Sequence, residues 1–527
     1  MRAVSRLLVP CFVLSLAASQ SGCSSDSATP PDGSGGRSDS NGSGGQSSSG
    51  GATASGGASG SGGKVGSGGT TASSGGATGS SSGGTVGSGG KTSSGGTTGS
   101  GGVVGGSSGG AVGSGGTTAS GGRAAGGTIG SSGGAVGMAG SSGTGGTTGG
   151  GGAAAPSAEN MGASCNATSG AMKKNMKLPN PFVMHDGTTI TTMAQWECRR
   201  NEIKADLEKY EIGPKQDKPT VAATLSGTKL SVVVTVGANS ITLSSTVSGS
   251  GSCVVIGMGG TTSLVTGCQQ LAFSTDQVVK YGNDSTQYQS DPFYKLYPSL
   301  WQKIGNYSAW AWGVSRLIDG LDQVKDQLKI DMTKIGTWGC SYAGKMSLFS
   351  GAFDERVALT IVEESGGGGI NAWRTSDEFV KNGGVSIEKI DNTNYSWFMS
   401  SMKKLDPYSL PHDHHELIAM IAPRATIILG NDTYDWLGDE SGYKSTMAAI
   451  EVFTAMGVAD HIGYDFTSNH NHCQAPATQQ QSVATFVKRF LQGGTGATSV
   501  AIKPPTTSYD FNWQADVDWT PPLPALK

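Results

Sequence analysis

Residues 24–155 contain no aromatic residue and no leucine. The segment consists of Gly, Ser and Thr repeats such as SGG and GTT, with scattered alanine and valine. A chain with so few apolar side chains cannot bury enough surface to offset the entropy lost on ordering, which excludes a folded domain here. We predict a disordered linker over 23–155, with an r.m.s. reach of roughly 60–70 Å.

Long apolar runs are almost as scarce in this chain. One run, LLVPCFVLSLAA, follows Arg2 and Arg6, and it is too short to span a bilayer. Small residues come after it, so residues 1–22 are predicted to be an export signal. Cys23 is compatible with lipidation, and both a secreted chain and a chain tethered to a membrane through Cys23 stay open as alternatives.

Strong net charge and CxxC spacing are also missing. The formal net charge of −3 gives no basis for a nucleic-acid surface or a basic membrane patch. Without CxxC pairs a zinc ribbon is excluded, and we expect neither a metal nor a cofactor. The part of the chain after the linker has six cysteines, an even number that predicts disulfides in an exported protein. These are Cys165, Cys198, Cys253, Cys268, Cys340 and Cys473.

Residues 156–527 are long enough for one large domain with a substantial core. Apolar and polar residues alternate over 221–247, which predicts antiparallel strands at an edge of a sheet. Further along, short apolar runs ending in Gly, Ser, Asp, Asn or His alternate with helical patterns, which is typical of parallel βαβ units. The expected fold is an α/β-hydrolase three-layer sandwich, with a mostly parallel central sheet and an antiparallel N-terminal edge.

The stretch GCSYAG, residues 339–344, lies between a predicted strand and a predicted helix. A nucleophile elbow needs small residues two positions before and after its serine, and Gly339 and Ala343 meet this need around Ser341. The last glycine of the usual G-x-S-x-G motif is displaced to Gly344, which we expect to be without consequence. The alternative is a glycine turn that contains a bystander serine.

The base would come from the late loop that contains His470 and His472, because the chain order Ser, acid, His is usual in this fold. Cys340 directly precedes Ser341, and Cys473 directly follows His472. A disulfide between these cysteines would hold the nucleophile and the base together.

The HDHH sequence at 412–415 has no matching group of metal ligands elsewhere in the chain. Because it opens a predicted helix, we expect helix capping and surface solvation for this cluster, His412, Asp413, His414 and His415.

The acid has two candidate positions. The usual one follows the run ATIILGN and offers Asp432, Asp435 or Asp439. The other is Glu364, at the end of ALTIVEE, whose neighbour Glu363 would point to the opposite side of the strand.

Five stretches together resemble the glucuronoyl esterases, carbohydrate esterase family 15 of the α/β-hydrolase superfamily. They are GCSYAGK, ALTIVEESGGGG with the following AWR, LPHDHHELIAMIAPR, NDTYDWL and HNHCQAP, in the order of the family. The resemblance implies a serine esterase that cleaves esters between 4-O-methyl-glucuronic acid of glucuronoxylan and lignin alcohols. We expect a monomer.

Carried over by position, the family's nucleophile falls on Ser341, its base on His472 and its acid on Glu364. The resemblance also assigns Lys345 to the hydroxyls of the uronate and Trp436 to the flank of the sugar. Without it, Lys345 would be interpreted as a solvated helix residue and Trp436 as half-buried core.

The resemblance further implies a disulfide between Cys340 and Cys473 and another between Cys165 and Cys198. Cys253 and Cys268 would then form an additional pair.

Three departures separate this chain from the family pattern. Tyr342 stands where the family has an oxyanion-binding arginine, and a neutral donor is weaker than a guanidinium. Ala372 replaces a family cysteine, and no sugar-contacting Gln or Glu can be assigned within NGGVSIEKIDNTNYSWF. Two alternative functions therefore stay open: another carbohydrate ester hydrolase, such as an acetyl xylan esterase, and a catalytically silent glycan-binding protein.

Overall fold

The computed structural model describes residues 158–162, 165–282 and 285–527. The predicted export signal, the predicted linker and Cys23 lie outside these residues. In the described ranges no helix has both the length and the apolar character needed to cross a membrane.

Eight α-helices and eleven strands are used in the description below. The helices are α1 (Met193–Leu207), α2 (Pro292–Leu296), α3 (Asn306–Leu328), α4 (Tyr342–Phe353), α5 (Trp373–Lys381), α6 (His414–Ala419), α7 (Asp439–Ala455) and α8 (Ala477–Phe490). The strands are β1 (Thr220–Ser226), β2 (Lys229–Val236), β3 (Asn239–Thr246), β4 (Ser248–Gly249), β5 (Val254–Met258), β6 (Gln269–Phe273), β7 (Ile335–Cys340), β8 (Val357–Glu363), β9 (Ala425–Leu429), β10 (Ile462–Asp465) and β11 (Ala501–Ile502). A π-helix, Glu208–Ile212, continues α1.

The central sheet has eight strands in the order β11-β10-β9-β8-β7-β5-β6-β4. Its neighbours pair in parallel except for β4, which runs antiparallel to β6 at the edge. This confirms the predicted fold class. Strands β1, β2 and β3 pair antiparallel as predicted, and they form a separate three-stranded sheet.

The central strands are buried on both faces, which explains why they appear in the sequence as continuous apolar runs. In β8, Leu359 and Ile361 pack on the face covered by α8, in one hydrophobic cluster with Phe486 of that helix. Val362 points the other way, into the larger core that includes α3 and α4. The alternation follows from the two-residue period of a strand, and it gives three layers: helices, sheet, helix.

Helix α3 connects the central sheet to the three-stranded sheet. Val232 and Val234 of β2 are fully buried in the same core as α3. The helix comes so close to β2 that a Cβ on Gly320 would lie 2.3 Å from Val232 Cγ2. Glycine at this position therefore permits the contact between helix and sheet.

Three disulfides join the pairs that were expected, Cys165–Cys198, Cys253–Cys268 and Cys340–Cys473. The Cys253–Cys268 bond closes a loop between residues 15 apart, at the amino ends of β5 and β6. Ser341 follows the carboxyl end of β7, at the opposite edge of the sheet. The bond is thus placed to stabilise the fold without touching that edge.

Replacing Cys253 and Cys268 together by alanine is expected to lower the free energy of unfolding by about 3 kcal/mol, the loop-closure value for a loop of this size. Urea unfolding of the wild type and the double variant measures the difference. The near-UV circular dichroism spectrum of the folded variant should stay unchanged. A spectrum without aromatic signals would contradict a purely stabilising role.

Candidate active site

Ser341 occupies a sharp turn between β7 and α4. Its backbone has φ 61° and ψ −127°, a strained conformation for a residue with a side chain. Gly339 makes the turn possible, because a Cβ there would lie 2.0 Å from the carbonyl oxygen of Ala343. The turn has the geometry of a nucleophile elbow, with the N-terminus of α4 directly after the serine.

Gly344 also has a structural role, although its displacement leaves the elbow intact as expected. A Cβ on Gly344 would lie 2.5 Å from the carbonyl oxygen of Glu363 on the neighbouring strand β8. The displaced glycine therefore allows the first turn of α4 to approach β8.

Glu364 follows β8, next to the strand that ends at the elbow. The backbone N–H of Ser341 donates to the carbonyl of Glu363 over 3.0 Å, and the N–H of Glu364 donates to Leu429 of β9 over 2.8 Å. Glu364 has a φ of 42°, which turns its side chain out of the strand direction. Parallel pairing thus brings the serine and this carboxylate to one edge of the sheet.

His472 lies on the loop between β10 and α8. Its Nδ1 is 2.6 Å from Oε2 of Glu364, and the N–H of Cys473 donates to Oε1 of the same carboxylate over 3.2 Å. Glu364 thereby orients Nδ1–H toward itself and leaves Nε2 as the basic nitrogen. The Cys340–Cys473 disulfide joins this loop to the elbow strand, and a ring nitrogen of His472 lies within 4.8 Å of Cys340 Sγ.

Lys345 and Glu388 form an ion pair on the helix side of the elbow. Lys345 is buried, with 4% of its surface exposed, so its interpretation as a solvated helix residue is wrong. Its Nζ lies 5.1 Å from the ring centroid of Trp397. Glu388 was missed in the sequence, although it lies within NGGVSIEKIDNTNYSWF, the segment in which family sugar contacts were sought.

Comparison with known proteins identifies relatives of this arrangement. The family described as "Glucuronyl esterase, fungi" matches residues 232–457. A 4-O-methyl-glucuronoyl methylesterase of Hypocrea jecorina is 35% identical over 374 residues, covering 68% of this chain and 79% of the relative. One of Thermothelomyces thermophilus is 38% identical over 331 residues, covering 60% of this chain and 82% of the relative.

The chain belongs to the glucuronoyl esterase family.

Solved structures of this family agree with the fold. The recombinant glucuronoyl esterase from Sporotrichum thermophile has a TM-score of 0.64 at 35% identity, covering 69% of this chain and 100% of that chain. A serine-to-alanine mutant of that enzyme was solved in complex with methyl 4-O-methyl-β-D-glucopyranuronate. It is 33% identical with a TM-score of 0.61, covering 67% of this chain and 98% of that chain.

In this glucuronoyl esterase, two of the three carboxylates in the usual acid position, Asp432 and Asp439, have other partners. Asp432 accepts hydrogen bonds from the hydroxyls of Ser468 and Thr506. Asp439 accepts from the N–H of Asn431 over 2.6 Å, and burial raises its pKa to about 8.

The second histidine of the loop, His470, is 2.8 Å from the carbonyl of Thr467 through Nε2, which therefore donates. Its Nδ1 stands 3.7 Å from Oε1 of Glu364. The shorter contact of the carboxylate, at 2.6 Å, goes to His472.

Tyr342, at the position of the family arginine, belongs to a group of aromatic rings. Its ring centroid lies 4.1 Å from that of Tyr281 and 6.0 Å from that of Trp397. The hydroxyl is 3.5 Å from the place that a Cβ on Gly259 would occupy. Burial and the nearby Tyr281 raise the pKa of Tyr342, so the hydroxyl keeps its proton.

Trp436 packs against His472, the proposed base. The residue is 48% exposed, and its ring meets the ring of His472 edge-on, with centroids 4.9 Å apart. Trp436 is thus half-buried, as that interpretation had it, but it is not part of the hydrophobic core. It is open to solvent beside His472.

The histidines at 412–415 are fully buried, so the expected surface solvation is wrong. His412 and His414 both contact the buried carboxylate of Glu211 through Nε2, at 2.8 and 2.9 Å. The predicted capping is confirmed: Asp413 of this cluster is the N-cap of α6, and its carboxylate accepts from the N–H of His414.

Two groups of close metal-ligand atoms occur among the residues that the structure describes. One combines Cys340, His472 and Cys473, and the other combines Cys340, Glu363 and Glu364. Both include Cys340, whose sulfur is bonded to Cys473 and cannot act as a thiolate. Neither group offers three free ligands.

Glu363 was expected on the opposite side of β8 from Glu364, but carboxylate oxygens of the two residues lie within 4.8 Å of each other. Oε2 of Glu363 accepts a hydrogen bond of 2.9 Å from Trp338 Nε1, and burial, assisted by the charge of Glu364, raises the pKa of Glu363 to about 7. An acid whose pKa is higher in the folded than in the unfolded state stabilises the fold at low pH. That stabilisation is lost as the pH rises from 4.5 toward 7.

Changing Glu363 to Gln should therefore flatten the pH dependence of stability. Between pH 4.5 and 8, the wild type is expected to lose about 3 kcal/mol more free energy of unfolding than the variant. Urea unfolding at several pH values measures this difference. The exposed Glu197, changed to Gln, is the control and should follow the wild type. Parallel curves for Glu363→Gln and wild type would refute the assignment.

Proposed function

We propose that this chain is a serine esterase that hydrolyses esters between 4-O-methyl-glucuronic acid of glucuronoxylan and lignin alcohols. The observation that carries the proposal is the elbow serine joined by the Cys340–Cys473 disulfide to a histidine that a buried glutamate orients. Relatives named 4-O-methyl-glucuronoyl methylesterase support the substrate class. The related enzyme in complex with a methyl glucuronate ester supports it further.

In the proposed reaction, Ser341 Oγ attacks the ester carbonyl while His472 Nε2 takes the hydroxyl proton. The resulting tetrahedral intermediate collapses as His472 returns the proton to the leaving alcohol, and an acyl-enzyme remains. Water, deprotonated by the same nitrogen, then releases the uronic acid and free Ser341. Glu364 keeps the ring oriented and stabilises the imidazolium that forms twice in this cycle.

The oxyanion of each tetrahedral intermediate would lie at the N-terminus of α4. The backbone N–H of Tyr342 is the first helical donor after the nucleophile, and the helix dipole adds partial positive charge there. The Tyr342 ring packs against Tyr281 at a tilt of 36°. We therefore assign the oxyanion contact to the backbone N–H of Tyr342 and not to its hydroxyl.

The sugar would be held by the Lys345–Glu388 pair and by Trp436. An ammonium and a carboxylate side by side present hydrogen-bond donors and acceptors to neighbouring hydroxyls of a uronate ring. The exposed face of Trp436 can pack against the apolar face of a sugar. These contacts favour a uronate ester over a simple acetate.

We also propose that the enzyme acts outside the cytoplasm, since three disulfides are typical of an oxidising compartment. We propose that it acts there as a monomer. Mass analysis of the mature N-terminus distinguishes a free chain from a chain lipidated at Cys23.

Hydrolysis of benzyl glucuronate, methyl galacturonate and p-nitrophenyl acetate tests the function. The wild type should prefer benzyl glucuronate, and Ser341→Ala should lower kcat at least ~10³-fold because the nucleophile is gone. Glu364→Gln should lower kcat ~10²- to 10⁴-fold through the wrong histidine tautomer. Asp432→Asn, in the usual acid position, is the matched control and should stay within about threefold of wild type.

Two results would overturn the proposal at different levels. Absence of serine-dependent turnover on all three esters would refute the esterase activity and favour a glycan-binding protein. Turnover of the acetate alone would replace the uronate esterase by an acetyl esterase.

Replacing Tyr342 by Phe keeps the ring and the backbone N–H, so kcat for benzyl glucuronate should change less than about tenfold. Tyr342→Ala also removes the ring and should lower kcat further, because the rings of Tyr281 and Trp397 then lose the ring packed against them. Steady-state kinetics of both variants separate the hydroxyl from the ring. A loss of ~10²-fold or more in Tyr342→Phe would instead assign the hydroxyl to the oxyanion.

A further inference from the structure

Glu211, His412 and His414 form a fully buried group, the His–Glu–His cluster, beneath the glycine loop 366–369. The Glu211 carboxylate contacts His412 Nε2 through Oε1 at 2.8 Å and His414 Nε2 through Oε2 at 2.9 Å. Trp373 Nε1 also donates to Oε1 over 2.8 Å. The cluster therefore brings together α6, α5 and the π-helix after α1, and the proposed reaction uses none of its members.

The hydrogen-bond partners of His414 determine its protonation state. Nε2 faces the Glu211 carboxylate, and Nδ1 lies 2.5 Å from the carbonyl oxygen of Gly369. A carbonyl oxygen can only accept a hydrogen bond, and an ionised carboxylate can only accept as well. Both ring nitrogens of His414 must then carry hydrogen, which makes the side chain an imidazolium.

The electrostatic environment agrees with this ion pair. Burial alone would raise the pKa of Glu211, but His414 and His412 hold it well below its usual range. Burial alone would lower the pKa of His414, but the charge of Glu211 raises it above its ordinary value. Adjacent His415 is equally buried, but its ring contacts the carbonyl of Pro179 at 2.9 Å and, among the described residues, no carboxylate within hydrogen-bond distance, and burial lowers its pKa to about 4.

The carbonyl that His414 holds belongs to a loop packed against the proposed sugar contacts. A Cβ on Gly367 would lie 2.4 Å from the carbonyl oxygen of Glu388, and a Cβ on Gly369 would lie 3.0 Å from Lys345 Cγ. The loop thus fills the space between the His–Glu–His cluster and the Lys345–Glu388 pair. Its backbone position affects where that pair stands.

We infer that the His414 imidazolium, paired with Glu211, is a positioning residue for uronate binding. Its Nδ1–H fixes the Gly369 carbonyl, which holds the glycine loop against Lys345 and Glu388 and so sets the spacing of that pair. The inference rests on the proposed function, because it takes the Lys345–Glu388 pair as the contact for the uronate hydroxyls.

The kinetic test compares His414→Gln with its matched control, His415→Gln, next to it on α6. His414→Gln should raise KM for benzyl glucuronate about tenfold or more, the effect of losing a charge-assisted hydrogen bond, with kcat within about threefold. Turnover of p-nitrophenyl acetate, which has no sugar hydroxyls, should change less than about threefold. His415→Gln should leave KM for both esters unchanged.

A coupling measurement checks that the ion pair acts as a unit. Glu211→Gln should raise KM as His414→Gln does, and the double variant should show no additional increase because the shared contact is already lost. Unchanged KM in His414→Gln, equal effects of both histidine variants, or additive effects of Glu211→Gln would each overturn the inference. If the wild type does not turn over benzyl glucuronate, the proposed function itself has failed.

A measurement on the wild type does not depend on the stability of any variant. The ¹⁵N NMR shifts of the His414 ring should report hydrogen on both nitrogens at neutral pH. The ring of His415 should report a neutral tautomer. A neutral tautomer at His414 would overturn the inference.

Discussion

The Cys340–Cys473 disulfide is the constraint on which the site depends. It joins the strand that ends at Ser341 to the loop that carries His472, across a separation of 133 residues. Loops are the most mobile parts of a fold, and a covalent bond directly beside the histidine removes much of that freedom. Glu364 reinforces the same loop, because its carboxylate accepts both from the ring of His472 and from the N–H of Cys473.

Several residues close to this disulfide have strained backbone conformations. Ser341, Glu364 and Cys473 have φ values of 61°, 42° and 61°, which residues with side chains rarely adopt. Such conformations persist only where the surroundings over-determine them. Here the surroundings are the paired strands β7, β8 and β9 and the disulfide. The rigid sheet therefore sustains the geometry that the proposed reaction needs.

Several features were predictable because their cause is local. The elbow is visible in GCSYAG since a tight turn requires small residues at fixed positions, and the order of short apolar runs indicates a parallel sheet. His412 and His414 were placed wrongly at the surface because their compensating partner, Glu211, is about 200 residues away in sequence. Glu388 was missed for the same reason: its partner Lys345 is 43 residues away, and no local pattern links them.

The sequence by itself determined the α/β class, the elbow and the pairing of Cys340 with Cys473, because spacing and chain order carry that information. The resemblance of five stretches indicated the family. Only the tertiary structure decided that Lys345 is buried in an ion pair, that Tyr342 packs against Tyr281, and that His414 faces two acceptors. Burial and protonation depend on which groups meet after folding. Those meetings join residues far apart in the chain, so local pattern does not contain them.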